Sequence, residues 1–210
     1  MFHELGPAML VPPVHRFQPR TSPPRAAEAT EKSFREAMRH LAGGVCIVTV
    51  GAGGDRAGVT ATSVSSLCAE PPTLLVCVNR ASPCYAALTR FGAFAVNVLS
   101  ADQREFAERF ASGSSLMQSE RFRGGRWLAL PSGAHCLADS IAVFGCDVEE
   151  RIERHTHAIV IGRVRCVLAG EGSGALVHWR GSYDQVGWGD DEVARAIGLF
   201  PRPGPSWICP

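Results

Sequence analysis

GVTATSVSSLCAEPPTLLVCVNRAS, residues Gly58 to Ser82, joins a run of small hydroxyl side chains to an apolar strand through a double-proline corner. Thr60, Thr62, Ser63, Ser65 and Ser66 put five hydroxyls into seven residues, interrupted by Ala61 and Val64. The β-branched members favour extended backbone, so the run reads as a strand with a dense hydrogen-bonding surface. Pro71 and Pro72 cannot donate to a sheet ladder and force a break, after which Thr73 to Val78 reads as a short, fully buried strand. That strand delivers Asn79 to the sheet edge. Asn-Arg-Ala-Ser-Pro then reads as a strand end followed by a helix start, with Ser82 as N-cap and Pro83 at the first helical position. Backbone amides, the Ser82 hydroxyl and Arg80 converge there on a place for a phosphate, favoured by the positive end of the helix dipole. Hydroxyl-rich strands and Ser-Pro helix openings also serve ordinary antiparallel sheets, so the pieces taken singly leave a structural role open.

The whole chain is consistent with one domain carrying tails. It has 210 residues, 46% of them hydrophobic, and a formal charge of +1, enough apolar content for a sizeable core and no global bias towards nucleic acid. No apolar run approaches a membrane span and the N-terminus lacks a basic-then-apolar signal pattern, so a cytoplasmic protein is expected. The eight cysteines form no CxxC pair and lie mostly in apolar segments, which reads as reduced, packed thiols; neither they nor the seven histidines cluster at zinc-ligand spacing. Residues 1–30 are proline-rich and without period, an expected flexible arm; 31–187 form the domain, and 188–210 a glycine- and proline-rich tail with one short helical piece at Asp191 to Leu199.

Within the domain, Ser33 with Glu36 reads as a capping box opening a helix whose apolar face is Phe34, Ala37, Met38 and Leu41, closed by Gly43 and Gly44. Val45 to Val50 is a buried strand, and Gly51 to Arg56 a glycine-rich hairpin loop. GxGxxG is absent and no helix follows this loop, which excludes a Rossmann or P-loop reading. Gly92 ends the helix that Ser82 begins, and Ala93 to Leu99 is a strand with Phe94, Val96 and Val98 on one side and Asn97 on the other. Ser100 and Gln103 form a further capping box before a helix carrying Phe106 and Phe110 inward. Ala111 to Arg126 is polar and aperiodic, the pattern of a mobile loop or lid. From Trp127 to Tyr183 the pattern is strand throughout, with Gly162 interrupting one strand and the GEGSG turn preceding another, which argues for an antiparallel Greek-key barrel.

As a set, FREAMRHLAGGVCIVTV, GVTATSVSSL, PPTLLVCVN, FAVNVLS and HAIVIGRV resemble the flavin reductase-like family over about Phe34 to Tyr183. The resemblance implies a split β-barrel of the FMN-binding type. It implies an NAD(P)H:flavin oxidoreductase, homodimeric, that reduces FMN or FAD at the expense of NADH or NADPH and supplies a separate monooxygenase or halogenase. On this reading the flavin is held by Thr60, Ala61, Thr62, Ser63, Val64, Ser65 and Ser66 with Asn79, Arg80 and Ser82, and Asn97 is a further contributor. His157 is assigned to the nicotinamide nucleotide, with Tyr183 a weaker candidate for the same pocket. Relatives commonly carry Gly-Asp before that histidine where this chain has His155 and Thr156, which leaves the local turn open. They often carry a serine at Cys68, here expected to be packed. Such chemistry needs two flat rings held in contact more than it needs a protein nucleophile, and no GxSxG elbow is present. The alternatives are a flavin-binding or electron-transfer split barrel without turnover, and a structural domain that has lost its ligand.

Overall fold

Residues 26, 28–170 and 174–187 are described by a computed structural model, so the N-terminal arm before them, most of the GEGSG turn and the C-terminal tail with its helical piece lie outside the described residues. Helix α1 (Glu31–Met38) leads into β1 (Gly43–Gly44), β2 (Cys46–Val50), β3 (Ala57–Ala61), β4 (Val64–Ala69) and β5 (Pro72–Asn79). Helix α2 (Pro83–Phe91) and strand β6 (Ala93–Val98) follow, then α3 (Arg104–Phe110), α4 (Gln118–Arg121), β7 (Trp127–Ala129) and β8 (His135–Leu137). Strands β9 (Ala142–Arg154), β10 (His157–Ala169), β11 (Ala175–Trp179) and β12 (Ser182–Val186) complete the described chain.

Seven strands form one antiparallel sheet in the order β3-β2-β6-β9-β10-β5-β4, with a three-stranded sheet β1-β11-β12 and a small β7-β8 ribbon beside it. The two edges, β3 and β4, are consecutive in sequence. Their connection at Thr62 and Ser63 carries the chain from one edge to the other and closes the sheet on itself. This is the split-barrel architecture expected. The expected single hydroxyl-rich strand is therefore two strands, with a break that no glycine or proline announces.

Strand β2 is buried from end to end. Its alternate residues serve different cores: Cys46, Val48 and Val50 join Val76, Val78, Leu88, Phe94 and Val96, while Ile47, with Val45 ahead of the strand, joins Leu99, Phe110, Phe122 and Leu137. A period-two strand clamped between two clusters explains the uninterrupted apolar run. Gly162, expected as an interruption, sits at a register shift between Ile161 and Gly162, where a Cβ would stand 2.4 Å from the Phe94 ring.

The cap expected at Ser33 lies three residues earlier. Thr30 is the N-cap, and Ser33 occupies the third helical position, its amide donating to Thr30 Oγ1 and its hydroxyl oxygen accepting from the Thr30 amide. The expected apolar face of α1 exists, but it packs on no core: Phe34 is 61% exposed, Met38 46% and Leu41 67%. Gly43 and Gly44 do not merely close the helix; they form β1 and pair with Val177 and His178. The caps expected at Ser82 and at Ser100 with Gln103 are both present, and Gly92 ends α2 in the left-handed region at φ 64°.

Candidate functional site

Barrel closure brings three separated pieces of sequence to one corner of the sheet. Just after the β3-to-β4 crossover, the Ser63 hydroxyl donates to the Cys77 carbonyl at 3.0 Å and its oxygen lies 3.3 Å from the Cys77 amide. Cys77 stands two residues before Asn79 on β5, about 7 Å along a strand. Asn79 in turn is the direct cross-strand partner of His157 on β10. Opposed residues of an antiparallel pair share a face, so Asn79, His157 and Cys77 lie on the outer side of the barrel, opposite the buried Val76 and Val78.

The hydroxyl run divides by role. Thr60 Oγ1 donates to the Ala107 carbonyl at 2.7 Å and so ties β3 to α3. Ser65 donates to the Ser66 carbonyl at 3.2 Å. Thr62 and Ser66 are exposed, and their hydroxyls have no assigned partner among the described residues. Ala61 and Val64 lean on the main core. Thr62, Ser63 and Val64 also line an open groove of about 590 Å³ whose other wall is Phe34, Met38 and Leu41 of α1 and its following turn, with Gly43 and His178. Gly43 is needed here, because a Cβ on it would meet Thr62 Cβ at 3.0 Å.

A second cleft, about 460 Å³, opens at the start of α2 and is lined by Gly58, Val59, Asn79, Ala81, Ser82, Pro83, Ser112, Leu116, Met117, Gln118 and Arg121. Asn79 Oδ1 accepts from the Ala81 amide at 2.9 Å and Ser82 Oγ from the Tyr85 amide at 3.2 Å, which shapes the helix entry. Ser82 keeps its own O–H free to donate, and the α2 dipole is positive there, so this entry suits a phosphate. Arg80, expected to point at that phosphate, turns elsewhere. Its guanidinium pairs with Glu153 at 2.7 Å and donates to the His155 carbonyl at 3.1 Å, and its amide donates to the Thr156 carbonyl at 2.9 Å. Tyr85 donates to the same Glu153 at 2.6 Å, a bond that raises its phenol above the ordinary value. Arg80 thus staples the His155–Thr156 turn, in which His155 takes φ 49°, the conformation that Gly adopts at less cost. His157 is exposed at the exit of that turn, its Nδ1 2.9 Å from Thr156 Oγ1.

The cleft's far wall was missed in the sequence beyond the expectation of a lid. Ala111 to Arg126 is not a plain loop: it contains α4 and is organised around Arg121, which is 8% exposed. Arg121 donates to the carbonyls of Phe110, Ala111, Ser114 and Leu116 at 3.2, 3.3, 3.2 and 3.2 Å. Burial lowers its pKa. Gln118 is anchored by accepting from the Gly58 amide at 3.0 Å, and Met117 beside it is 70% exposed. The only signal for these residues was the polar, aperiodic composition of the stretch.

Two candidates fall away from this corner. Asn97 is fully buried; its amide donates to the Ile47 carbonyl at 2.9 Å and to Thr49 Oγ1 at 3.2 Å, and its oxygen accepts from the Leu137 amide at 2.7 Å. It locks β2, β6 and β8 together, and with its polar atoms spent it is a core residue and not a flavin contact. Tyr183 lies on β12 in the other sheet, packed on the second core, edge-on to His178 at 5.4 Å and 5.7 Å from the Arg104 guanidinium. No described cleft joins it to His157. Cys68, expected to be packed, is exposed with its thiol 3.0 Å from the Glu70 carbonyl, and Cys77 is exposed too. Among the described residues no group of His, Cys, Asp and Glu is arranged to hold a metal, and no helix is long and apolar enough to cross a membrane.

With the corner and cleft in place, residues 38–187 match the flavin reductase like domain, so the chain belongs to that family of oxidoreductases. It is 38% identical over 183 residues to the FMN reductase (NADH) RutF of Methylorubrum extorquens, covering 83% of this chain and 88% of the relative. Among solved structures it is similar to the NADH:FAD oxidoreductase SgcE6 of Streptomyces globisporus, at TM-score 0.70 and 27% identity over 79% of this chain and 99% of that one. It is also similar to BorF, the flavin reductase component of a bacterial two-component tryptophan halogenase, at TM-score 0.69 and 29% identity, over 75% and 99% of the two chains.

Proposed function

We propose that this chain is an NADH-dependent reductase of FMN, acting as a homodimer and passing reduced flavin to a separate oxygenase or halogenase. The observation that carries the reading is the closure at Ser63 and Cys77. It sets the free hydroxyl of Thr62, the phosphate-suited entry at Asn79 and Ser82, and His157 around one corner of the barrel. Flavin, when bound, supplies the hydride-accepting ring; the chain's own residues bind, orient and exclude water. The Ser82 hydroxyl at the α2 entry takes the phosphate, while Thr62 lines the ring. His157, held by the stapled turn, positions the nicotinamide nucleotide.

The names of the relatives favour NADH, and the curated ones favour FMN over FAD. Dimerisation is favoured by α1 and its following turn, where exposed Phe34, Met38 and Leu41 border Thr62 and Ser63, so that a second copy would cover apolar surface and complete the wall of the groove. Steady-state NADH oxidation with and without added free FMN tests the activity. Turnover that follows added FMN is expected. Reduction of one bound flavin with no further turnover would establish the electron-transfer alternative instead. Light scattering by the full chain is expected to give twice the chain mass.

A further inference from the structure

Beside the cleft at the start of α2, and sharing Pro83 and Gln118 with it, runs an open groove of about 410 Å³ along α2. It is lined by the hairpin loop after β2 and one side of the helix, and two of its residues are Arg56 and Arg90. Arg56 is half-buried, stands 4.4 Å over the Phe122 ring, and has no carboxylate partner among the described residues. Arg90 pairs with Asp55 at 3.0 Å, but the two side chains are 58% and 72% exposed, so solvent screens the pair and it opens at little cost. The groove therefore holds a fixed, unpaired guanidinium and a second one that is easily recruited. Guanidinium forks match phosphate oxygens.

We infer that this groove is a second phosphate subsite, taking the adenosine monophosphate half of a dinucleotide whose other phosphate lies in the adjoining cleft. The inference rests on the flavin reading above. The single phosphate of FMN is already served by the Asn79–Ser82 entry, which leaves the two arginines next door for a phosphate lying further from the ring. FAD and NADH both carry such a half. Asp55 is the one carboxylate in the groove and opposes it.

Dissociation constants of FMN and FAD, by flavin fluorescence, and of NAD⁺ on the FMN-loaded full-length protein test this in Arg56→Gln, Arg90→Ala and Asp55→Asn. Loss of one charge-assisted bond corresponds to roughly tenfold. The arginine variants are expected to weaken FAD, NAD⁺ or both by that factor while FMN moves less than about twofold, and Asp55→Asn is expected to tighten the same ligand. Loss confined to FAD assigns the groove to the flavin's tail, and loss confined to NAD⁺ assigns it to the nicotinamide nucleotide's. Parallel loss of FMN, or no change in any ligand with unaltered urea midpoints, overturns the inference. If the wild-type chain binds no FMN, it is the flavin reading itself that has failed.

Discussion

Arg121→Met separates the loop's architecture from its polarity. Methionine keeps much of the arginine stem's packing and removes all of its donors, leaving the carbonyls of Phe110, Ala111, Ser114 and Leu116 to find other partners. A hydrogen bond to a charged group contributes about 1.5–3 kcal/mol, but these four converge on one side chain and are not additive. The carbonyls of Ala111, Ser114 and Leu116 are only partly buried and regain water once the loop opens, leaving that of the buried Phe110 as the costly one, which caps the loss at about 2–4 kcal/mol. Because the same segment presents Met117 and Gln118 to the cleft, the loss reaches function: if the closed loop falls to about a tenth of the population, FMN affinity falls about tenfold. Urea unfolding, FMN titration and proteolysis between α3 and α4 read the three consequences separately. Arg121→Lys restores only part of the effect, since one ammonium cannot span four diverging acceptors. A variant within about 0.5 kcal/mol of wild type, with unchanged FMN affinity, would refute the organising role.

His157→Ala is expected to raise the apparent Michaelis constant for NADH and slow flavin reduction in single-turnover mixing while equilibrium FMN binding holds; a fall in FMN binding would move His157 to the flavin. Arg80→Ala, which removes the staple on the His155–Thr156 turn, is expected to raise the apparent Michaelis constant for NADH while FMN affinity holds, and Glu153→Gln, which loosens the same staple, to do so less. A loss of FMN affinity in Arg80→Ala would return Arg80 to the flavin phosphate. Burial pushes the thiols of Cys46, Cys84 and Cys146 up to about 12 from 9.0, so above that lower value the unfolded chain releases protons that the folded chain keeps. Stability is then complete below pH 9.0 and declines as pH climbs towards about 12. Urea midpoints flat across that window would count against these burials.

How far the sequence could be read depends on how local the cause is. Ser82-Pro83 and Ser100 with Gln103 were legible because a cap is a contract among four consecutive residues, and nothing distant revises it. Thr30 and Ser33 show the limit: both have a suitable partner three residues on, and the winner is whichever residue the chain's entry leaves extended. The alternation in Phe94, Val96 and Asn97 was legible as geometry, yet the role of Asn97 was not, since its three partners come from β2 and β8. Arg121 was hidden for the same reason, its acceptors being backbone carbonyls that no residue type advertises.

The site corner is the clearest case of a non-local cause. Nothing in TATSVSS demands a break after Ala61; the stretch is β-prone throughout, and an open sheet would have let it run on as one strand. The break exists because β3 and β4 are opposite edges of a sheet that curls until they meet, and a strand that must serve both edges has to cross between them. Thr62 and Ser63 suit that crossing, because a small hydroxyl can do the work of a missing ladder bond, as Ser63 does with both polar groups of Cys77. The residues that first suggested a ligand surface are thus, in part, the seam of the barrel. What remains for a ligand at that corner is Thr62, because Ser66, though free, pairs opposite Leu74, five residues along β5 from Asn79. These positions follow from the crossover and the β4–β5 register, and not from a period of two along one strand. Alanine at Thr60 or Ser63 should therefore cost stability before affinity, and alanine at Thr62 affinity before stability.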